Sequence, residues 1–367
     1  MARTLELIES WVSARTRWHF VVLRDGGAAA VGECSDAGDI GGVIQQLTAM
    51  RPAFQGRDLV SDRATVVDEL ARTVVAAPRD KAFAAATVMG GLEQSLVDFA
   101  AKADGEPVWK WLGGVAPDRV PLYANINRMP GGRSPAEVAE MAASAVAAGF
   151  RAVKCAPFDV REPGRDLADT GVARLRAIRA AIGDDVTLKV DFHERLTADD
   201  VYRVLPAMED LGVGWIEDAF AVQNVEDLRT LRAGTTLPLA GGELMFRLDE
   251  ARTAIAEHLV DVLMPDVKHA GGIARVLSIA HGASGTAISP HNPSGPVATA
   301  ASAHLLAACP NATVLEYQFG EVPWRRDLVG GAEHITDGHL HLSDRPGLGV
   351  RLRADHPSCH VLWTAEI

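Results

Sequence analysis

Three stretches of the chain decide its fold: 186-VTLKVDF-192, 213-VGWIED-218 and 237-LPLAGGE-243. Each is a short apolar run that closes on a carboxylate, and those carboxylates, Asp191, Glu217 and Glu243, are spaced 26 residues apart. A continuous apolar run of this length reads as a strand buried on both faces, the habit of parallel sheets. Working outward, the same texture recurs in 120-VPLYANI-126, 150-FRAVKCA-156, 260-VDVLMPD-266, 285-GTAISPH-291 and 312-ATVLEYQ-318. Amphipathic segments lie between most of them and open on helix caps, such as Ser134-Pro135 and Thr197 ahead of Ala198-Asp199-Asp200. Eight such strands in this alternation specify an α/β parallel barrel better than an open sheet. The eighth is followed by Gly320-Glu321-Val322-Pro323-Trp324 in place of a clear helix.

Upstream the texture differs. Leu5–Val12 and Trp18–Leu23 read as strands, and Ile40–Met50 and Asp80–Ala103 as helices, which together suggest an α+β unit. Gly113-Gly114 and Pro117 mark its end. The expected division is an α+β capping unit at 1–115, a barrel at 116–330, and a β-like segment at 331–367 that returns to the capping unit.

Composition narrows the function. Hydrophobic residues make up 48% of the 367, enough to fill a core, so disorder is excluded. The 36 basic and 48 acidic residues leave a net charge of −12, which argues against nucleic acid as a partner. No apolar run approaches the roughly 20 residues of a membrane span, so no membrane association is expected. The start, MARTLELIESWV, lacks the order of a signal peptide. Cys34, Cys155, Cys309 and Cys359 are scattered without close pairs, which fits a reducing cytoplasm.

In a parallel barrel, chemistry gathers where the strands end. The polar residues closing the candidate strands are Lys154, Asp191, Glu217, Glu243, Asp266, His291 and Glu316. Three converging carboxylates are tolerable in an apolar setting only around a cation. Oxygen ligands alone point to a hard one, Mg²⁺, with Asp191, Glu217 and Glu243 as its ligands. Asp266 and His291 end neighbouring strands, where the carboxylate would fix the imidazole tautomer and raise its basicity. The pairs Gly241-Gly242 and Gly271-Gly272 lack the order of a phosphate loop and read as tight turns.

That order of strand-end residues, with 90-GGLEQSLVDFAAKADGEPVWKWLGG-114, 265-PDVKHAGGI-273 and 289-SPHNPSGPV-297, resembles the enolase superfamily, mandelate racemase subgroup. With 17-RWHFVVLRDGGAAAVGE-33 and 191-DFHER-195 the resemblance runs most to its acid-sugar dehydratases of the D-galactonate type. It implies a modified TIM barrel, (β/α)7β, under an N-terminal α+β capping domain. The implied activity is Mg²⁺-dependent dehydration of an acid sugar, aldonate or aldarate, to a 2-keto-3-deoxy acid through a metal-stabilised enediolate. A small-molecule carboxylate is thus the implied substrate, and a homo-oligomer the implied assembly.

In that reading His291 with Asp266 supplies a base, and His193, two residues beyond Asp191, an acid for the departing hydroxyl. A two-residue step along a strand would put His193 and Asp191 on one face. Lys154 is expected to position the substrate or supply charge, and Glu316 to bond the substrate carboxylate or anchor a lysine. His269 is expected to serve its own loop. Substrate choice is expected from Ser10–His19 and Glu33–Gly42, the short link between the first strands forming a small lid. Two other functions compete. A racemase or epimerase would use His291 and Lys154, although Ala156 stands where racemases carry a second lysine; a non-catalytic member would bind Mg²⁺ and a ligand without turnover.

Overall fold

A computed structural model describes residues 3–14, 16–115, 119–283 and 285–367. The boundary marker Pro117 lies outside the described residues.

The chain opens with an antiparallel meander, β1 (Thr4–Trp11), β2 (Arg17–Asp25) and β3 (Ala28–Glu33), followed by α1 (Ile40–Met50), α2 (Arg63–Ala76), α3 (Arg79–Ala103) and the short α4 (Val108–Trp111). Leu5, Leu7, Val21 and Leu23 pack on Val43, Leu47, Leu70, Leu92 and Leu96 to make a core for this unit alone. That is the α+β arrangement expected of strands that precede helices.

The barrel strands are β4 (Val120–Asn125), β5 (Ala152–Cys155), β6 (Thr187–Asp191), β7 (Val213–Glu217), β8 (Leu239–Gly241), β9 (Val262–Leu263), β10 (Ala287–Ile288) and β11 (Leu315–Gln318). Helices α5 (Pro135–Ala147), α6 (Leu167–Ile182), α7 (Ala198–Asp210), α8 (Val225–Gly234), α9 (Arg252–Ala256), α10 (Ile273–Gly282) and α11 (Pro296–Ala308) fill the seven intervals. Neighbouring strands from β4 to β10 pair in parallel, and β11 pairs with β4. The last gap is bridged by Ile288 and Ala312, on the segment leading into β11. The helix that follows β11 is the four-residue α12 (Arg325–Leu328), too short to make an eighth barrel helix. The architecture is therefore (β/α)7β.

Local chemistry explains the helix starts. Ser134 and Glu137 form a reciprocal capping box with Pro135 in the first turn of α5, and Thr197 caps α7 by accepting from Asp200 N–H at 3.2 Å. Two later helices have no cap of their own and borrow one from the capping unit. Glu33 accepts from Gly295 and Ala298 N–H at 2.7 and 2.9 Å, and Glu93 from Ile273 and Ala274 N–H at 2.7 and 3.1 Å. A carboxylate at a helix N-terminus meets unpaired N–H groups and the positive end of the dipole. These contacts fasten the capping unit over the strand ends where the site lies.

The segment 331–367 divides between the two units. The hairpin β12 (His334–Thr336) and β13 (His339–His341) pairs with β4, whereas β14 (Cys359–Glu366) adds an edge to the N-terminal sheet beside β1. All four cysteines are free, and among the described residues no helix is long and apolar enough to cross a membrane.

Candidate active site

Parallel register sets the strand-end residues side by side. Asp191 is paired with Glu217 across β6 and β7, and Glu243 follows two residues beyond β8 on a turn made by Gly242 at φ +100°. That turn needs a residue without a Cβ. Asp191, Glu217 and Glu316 are essentially sealed from solvent, and Asp218 nearly so.

Lys154 is the hub. Its Nζ stands 2.5 Å from Glu217 Oε1, 2.6 Å from Glu316 Oε1 and 3.3 Å from Asp191 Oδ2. Burial works against the ammonium, but Glu217, Glu316 and Asp191 outweigh it and hold Lys154 well above its ordinary range. Glu316 also accepts from Asn125 Nδ2 and Asn292 N–H, each at 2.7 Å. Burial would raise its pKa, yet Lys154 keeps it below the usual value, so Glu316 is an ionised lysine anchor rather than a protonated donor.

The ligand atoms of Asp191, His193 and Glu243 lie within 4.8 Å of one another. Glu217 is not in that group: its second oxygen accepts from the Trp215 indole N–H at 3.0 Å. Burial, then repulsion from Asp191, pushes Glu217 well above the carboxylate range. Asp218, unremarked in the sequence, is pushed the same way by burial and by Glu243. Glu243 Oε2 is buried without a well-formed hydrogen bond, although His291 Nε2 lies 3.0 Å away. A surplus of buried carboxylate oxygen around one lysine, with an orphaned oxygen at its edge, fits a hard divalent cation.

His291 sits on the turn after β10. Its Nδ1 is 2.8 Å from Asp266 Oδ2, as the adjacent strand ends predicted, which leaves Nε2 facing Glu243. Burial lowers the affinity of the ring for a proton, but Glu243 and Asp266 outweigh burial and raise its pKa. His269 does not serve its own loop as expected: its Nδ1 lies 3.0 Å from Thr87 Oγ1 of α3 in the capping unit, its ring borders the cavity over the site, and burial lowers its pKa to about 4.

His193 reaches the site by a different route from the expected one. The strand ends at Asp191, and His193 and Glu194 take left-handed φ of +46° and +51°. Strand parity therefore does not apply; the turn itself swings Nε2 to 3.0 Å from Asp191 Oδ2. Its Nδ1 faces Asp159 Oδ1 at 2.9 Å. Burial opposes charge on this ring, but Asp191 and Asp159 prevail and raise its pKa to about 11. Asp159 was missed in the sequence because it lies on an aperiodic loop after β5.

A cavity of about 350 Å³ opens over these groups, bounded by Lys154, Asp159, His193 and His291 from the barrel and by Asp36 and Phe83 from the capping unit. Asp36 belongs to the stretch 33–42 and is bonded by Arg128 at 3.1 Å. Among the described residues, none from 10–19 bounds this cavity.

Residues 137–356 match the enolase C-terminal domain-like family, a span that contains Lys154, Asp191, Glu217, Glu243, Asp266, His291 and Glu316. The chain belongs to the enolase superfamily. Among superfamily relatives, a D-galactonate dehydratase family member of Streptomyces bingchenggensis is 33% identical over 72% of this chain and 71% of its own. A D-xylonate dehydratase of Haloferax volcanii is 27% identical over 98% of this chain and 89% of its own. A solved mandelate racemase/muconate lactonizing enzyme-like protein of Rubrobacter xylanophilus superposes with a TM-score of 0.87 at 31% identity, covering 96% of each chain. The enolase-superfamily barrel and its capping unit are thus the fold of this chain.

Proposed function

We propose that the protein is a Mg²⁺-dependent hydro-lyase that dehydrates an acid sugar, aldonate or aldarate, to a 2-keto-3-deoxy acid. The observation that carries this reading is the Asp266–His291 pair, with Nδ1 held by a buried carboxylate and Nε2 turned toward Glu243. An oriented base is superfluous in a protein that only binds. Support comes also from the relatives, whose names include D-galactonate and D-xylonate dehydratase.

Asp191, Glu217 and Glu243 would hold the ion. When bound, it makes the C–H beside a carboxylate acidic enough to lose its proton by neutralising the charge that develops. Lys154, fixed by Glu316, adds positive charge at the same end. His291 Nε2 takes the α-proton. The C3–O bond then breaks, and His193 Nε2 delivers a proton so that water leaves rather than hydroxide. Asp159 orients His193 as Asp266 orients His291. The resulting enol takes a proton at C3 and becomes the 2-keto acid. We assign residues 1–115 to the cap, 116–330 to the barrel and 331–367 to a C-terminal segment of which β14 returns to the cap while the β12–β13 hairpin stays with the barrel, and we place the enzyme in the cytoplasm as a homo-oligomer.

The test is incubation of the Mg²⁺-loaded protein with an acid-sugar library, with 2-keto acid detected by semicarbazide. Keto acid from one or more members supports dehydration. One observation favours a second reading, an epimerase: His193 carries the same Nδ1–carboxylate arrangement as His291. Exchange of the α-proton with D₂O, with no keto acid from any member, would replace the first reading by the second.

A further inference from the structure

Asp36 lies three residues beyond β3, on the loop by which the capping unit reaches the cavity, and Arg128 lies three residues beyond β4 on the opposite unit. Arg128 Nη2 donates to Asp36 Oδ2 at 3.1 Å, and both side chains keep part of their surface open, 25% and 37%. Asp36 takes a left-handed φ of +64°, a conformation that persists in a non-glycine residue only where the surroundings impose it. The pair thus stands on the cavity wall as an acceptor and a donor side by side. Burial would raise the pKa of Asp36, yet Arg128, followed by Lys268 and His269, keeps it below the usual carboxylate value, so the acceptor is an anion.

The other basic groups on that wall are already matched. Lys154 faces Glu217 and Glu316, His193 faces Asp159, and His291 and His269 both face Asp266. Arg128 itself answers to two carboxylates, Asp36 by contact and Glu321 through its field. Among the described residues bounding the cavity, no cation is left without an anion. Uncharged hydrogen-bonding capacity remains, since Asn127 and Gln318 share the wall and Gln318 Oε1 has no partner.

We propose that Asp36 and Arg128 read the far end of the substrate and that this end is an uncharged polyol, so that the protein takes an aldonate and rejects the matching aldarate. The inference rests on the dehydratase reading and narrows it. The two acids differ only at the last carbon, a hydroxymethyl group in one and a carboxylate in the other. A hydroxyl beyond C3 can donate to Asp36 and accept from Arg128, whereas a terminal carboxylate can only accept. That carboxylate would also shed water beside Asp36, where the one adjacent guanidinium is already shared. A site of this kind discriminates by leaving the charge of the wrong ligand unpaired.

The test sets each aldonate of the library beside the aldarate made by oxidising its last carbon. With Mg²⁺-loaded protein, kcat/KM is read by semicarbazide and Kd by calorimetry. The wild type should favour the aldonate by about 10-fold or more, the worth of a hydrogen bond to a charged group. Asp36→Asn keeps the shape, suits the left-handed backbone and removes the charge, which frees Arg128 for a terminal carboxylate. The aldonate-to-aldarate ratio should then fall about 10- to 100-fold in both measurements. A wild-type ratio at or below one overturns the proposal, as does an unchanged ratio in Asp36→Asn. Should Asp36→Asn fail to fold, Asp36→Gly, which accepts the same backbone, is read the same way. If the wild type makes keto acid from no acid sugar, the dehydratase reading fails and calorimetry still decides the subsite: tighter binding of the aldonate supports it, and preference for the aldarate or binding of neither overturns it.

Discussion

The Asp266–His291 and Asp159–His193 pairs each join a carboxylate to ring Nδ1 and turn Nε2 toward a carboxylate of the proposed metal site, Glu243 or Asp191. Their settings differ. The first is buried, tied by Lys268, and carried by turns directly after β9 and β10. The second joins two loops, with His193 and Asp159 partly open to solvent and Arg195 on the outer side of Asp159. Rigid surroundings suit the group that must meet one C–H bond in one orientation. A looser loop suits the group that delivers a proton to a departing hydroxyl and lets product leave.

Removing what the two pairs share should have the largest effect. Chelation by EDTA or Glu217→Gln should reduce keto-acid formation to background while far-ultraviolet circular dichroism stays that of the wild type; full activity in EDTA would refute the metal assignment. Next comes the rigid pair. His291→Asn should lower kcat by about four orders of magnitude, with Asp266→Asn losing less, since the carboxylate orients the ring but does not take the proton. Steady-state assays on both variants read this, and near-wild-type turnover in His291→Asn would dissolve the distinction between the pairs.

The open pair should respond differently in kind. In His193→Asn, keto-acid formation should fall about 10²- to 10⁴-fold while slow α-proton exchange with D₂O, followed by proton NMR, persists. Equal loss of both would place His193 in the first step. Asp159→Asn should show the same split at a smaller scale, about 10- to 100-fold in dehydration; a variant indistinguishable from wild type would leave His193 without a functional partner.

The smallest effect lies away from both pairs and concerns stability. His304 on α11 accepts from Trp109 N–H at 3.1 Å through Nδ1, with Nε2 3.2 Å from the Leu348 carbonyl. Burial lowers its pKa to about 4. The unfolded ring, near 6.5, takes a proton first, so stability should decline as pH falls from about 6.5 to 4 and be unaffected by this ring above that window. The full effect is on the order of 3 kcal/mol. Urea titrations across the window should show a flatter pH slope in His304→Gln than in wild type.

The sequence by itself determined the barrel and the polar residues that close its strands. Apolar runs report burial on both faces, and a polar residue closing such a run has few places to go except the strand end. Lys154, Asp191, Glu217 and Glu316 were legible in this way, as was the contact between Asp266 and His291. The tertiary structure alone decided the partners drawn from aperiodic segments. Asp159 meets His193 only because the chain turns left-handed at 193 and 194, and no period marks such a turn. Lys268 stood in plain view in PDVKHAGG, but its grip on Asp266 depends on Ser294 and on α3 crossing at Gly90. Glu33 and Glu93 accept from the helix-start amides of Gly295 and Ile273, 262 and 180 residues later in the chain. Local pattern records which residues are buried; which buried groups satisfy one another is set by long-range packing, where every sealed donor and acceptor must find whatever partner the fold brings to it.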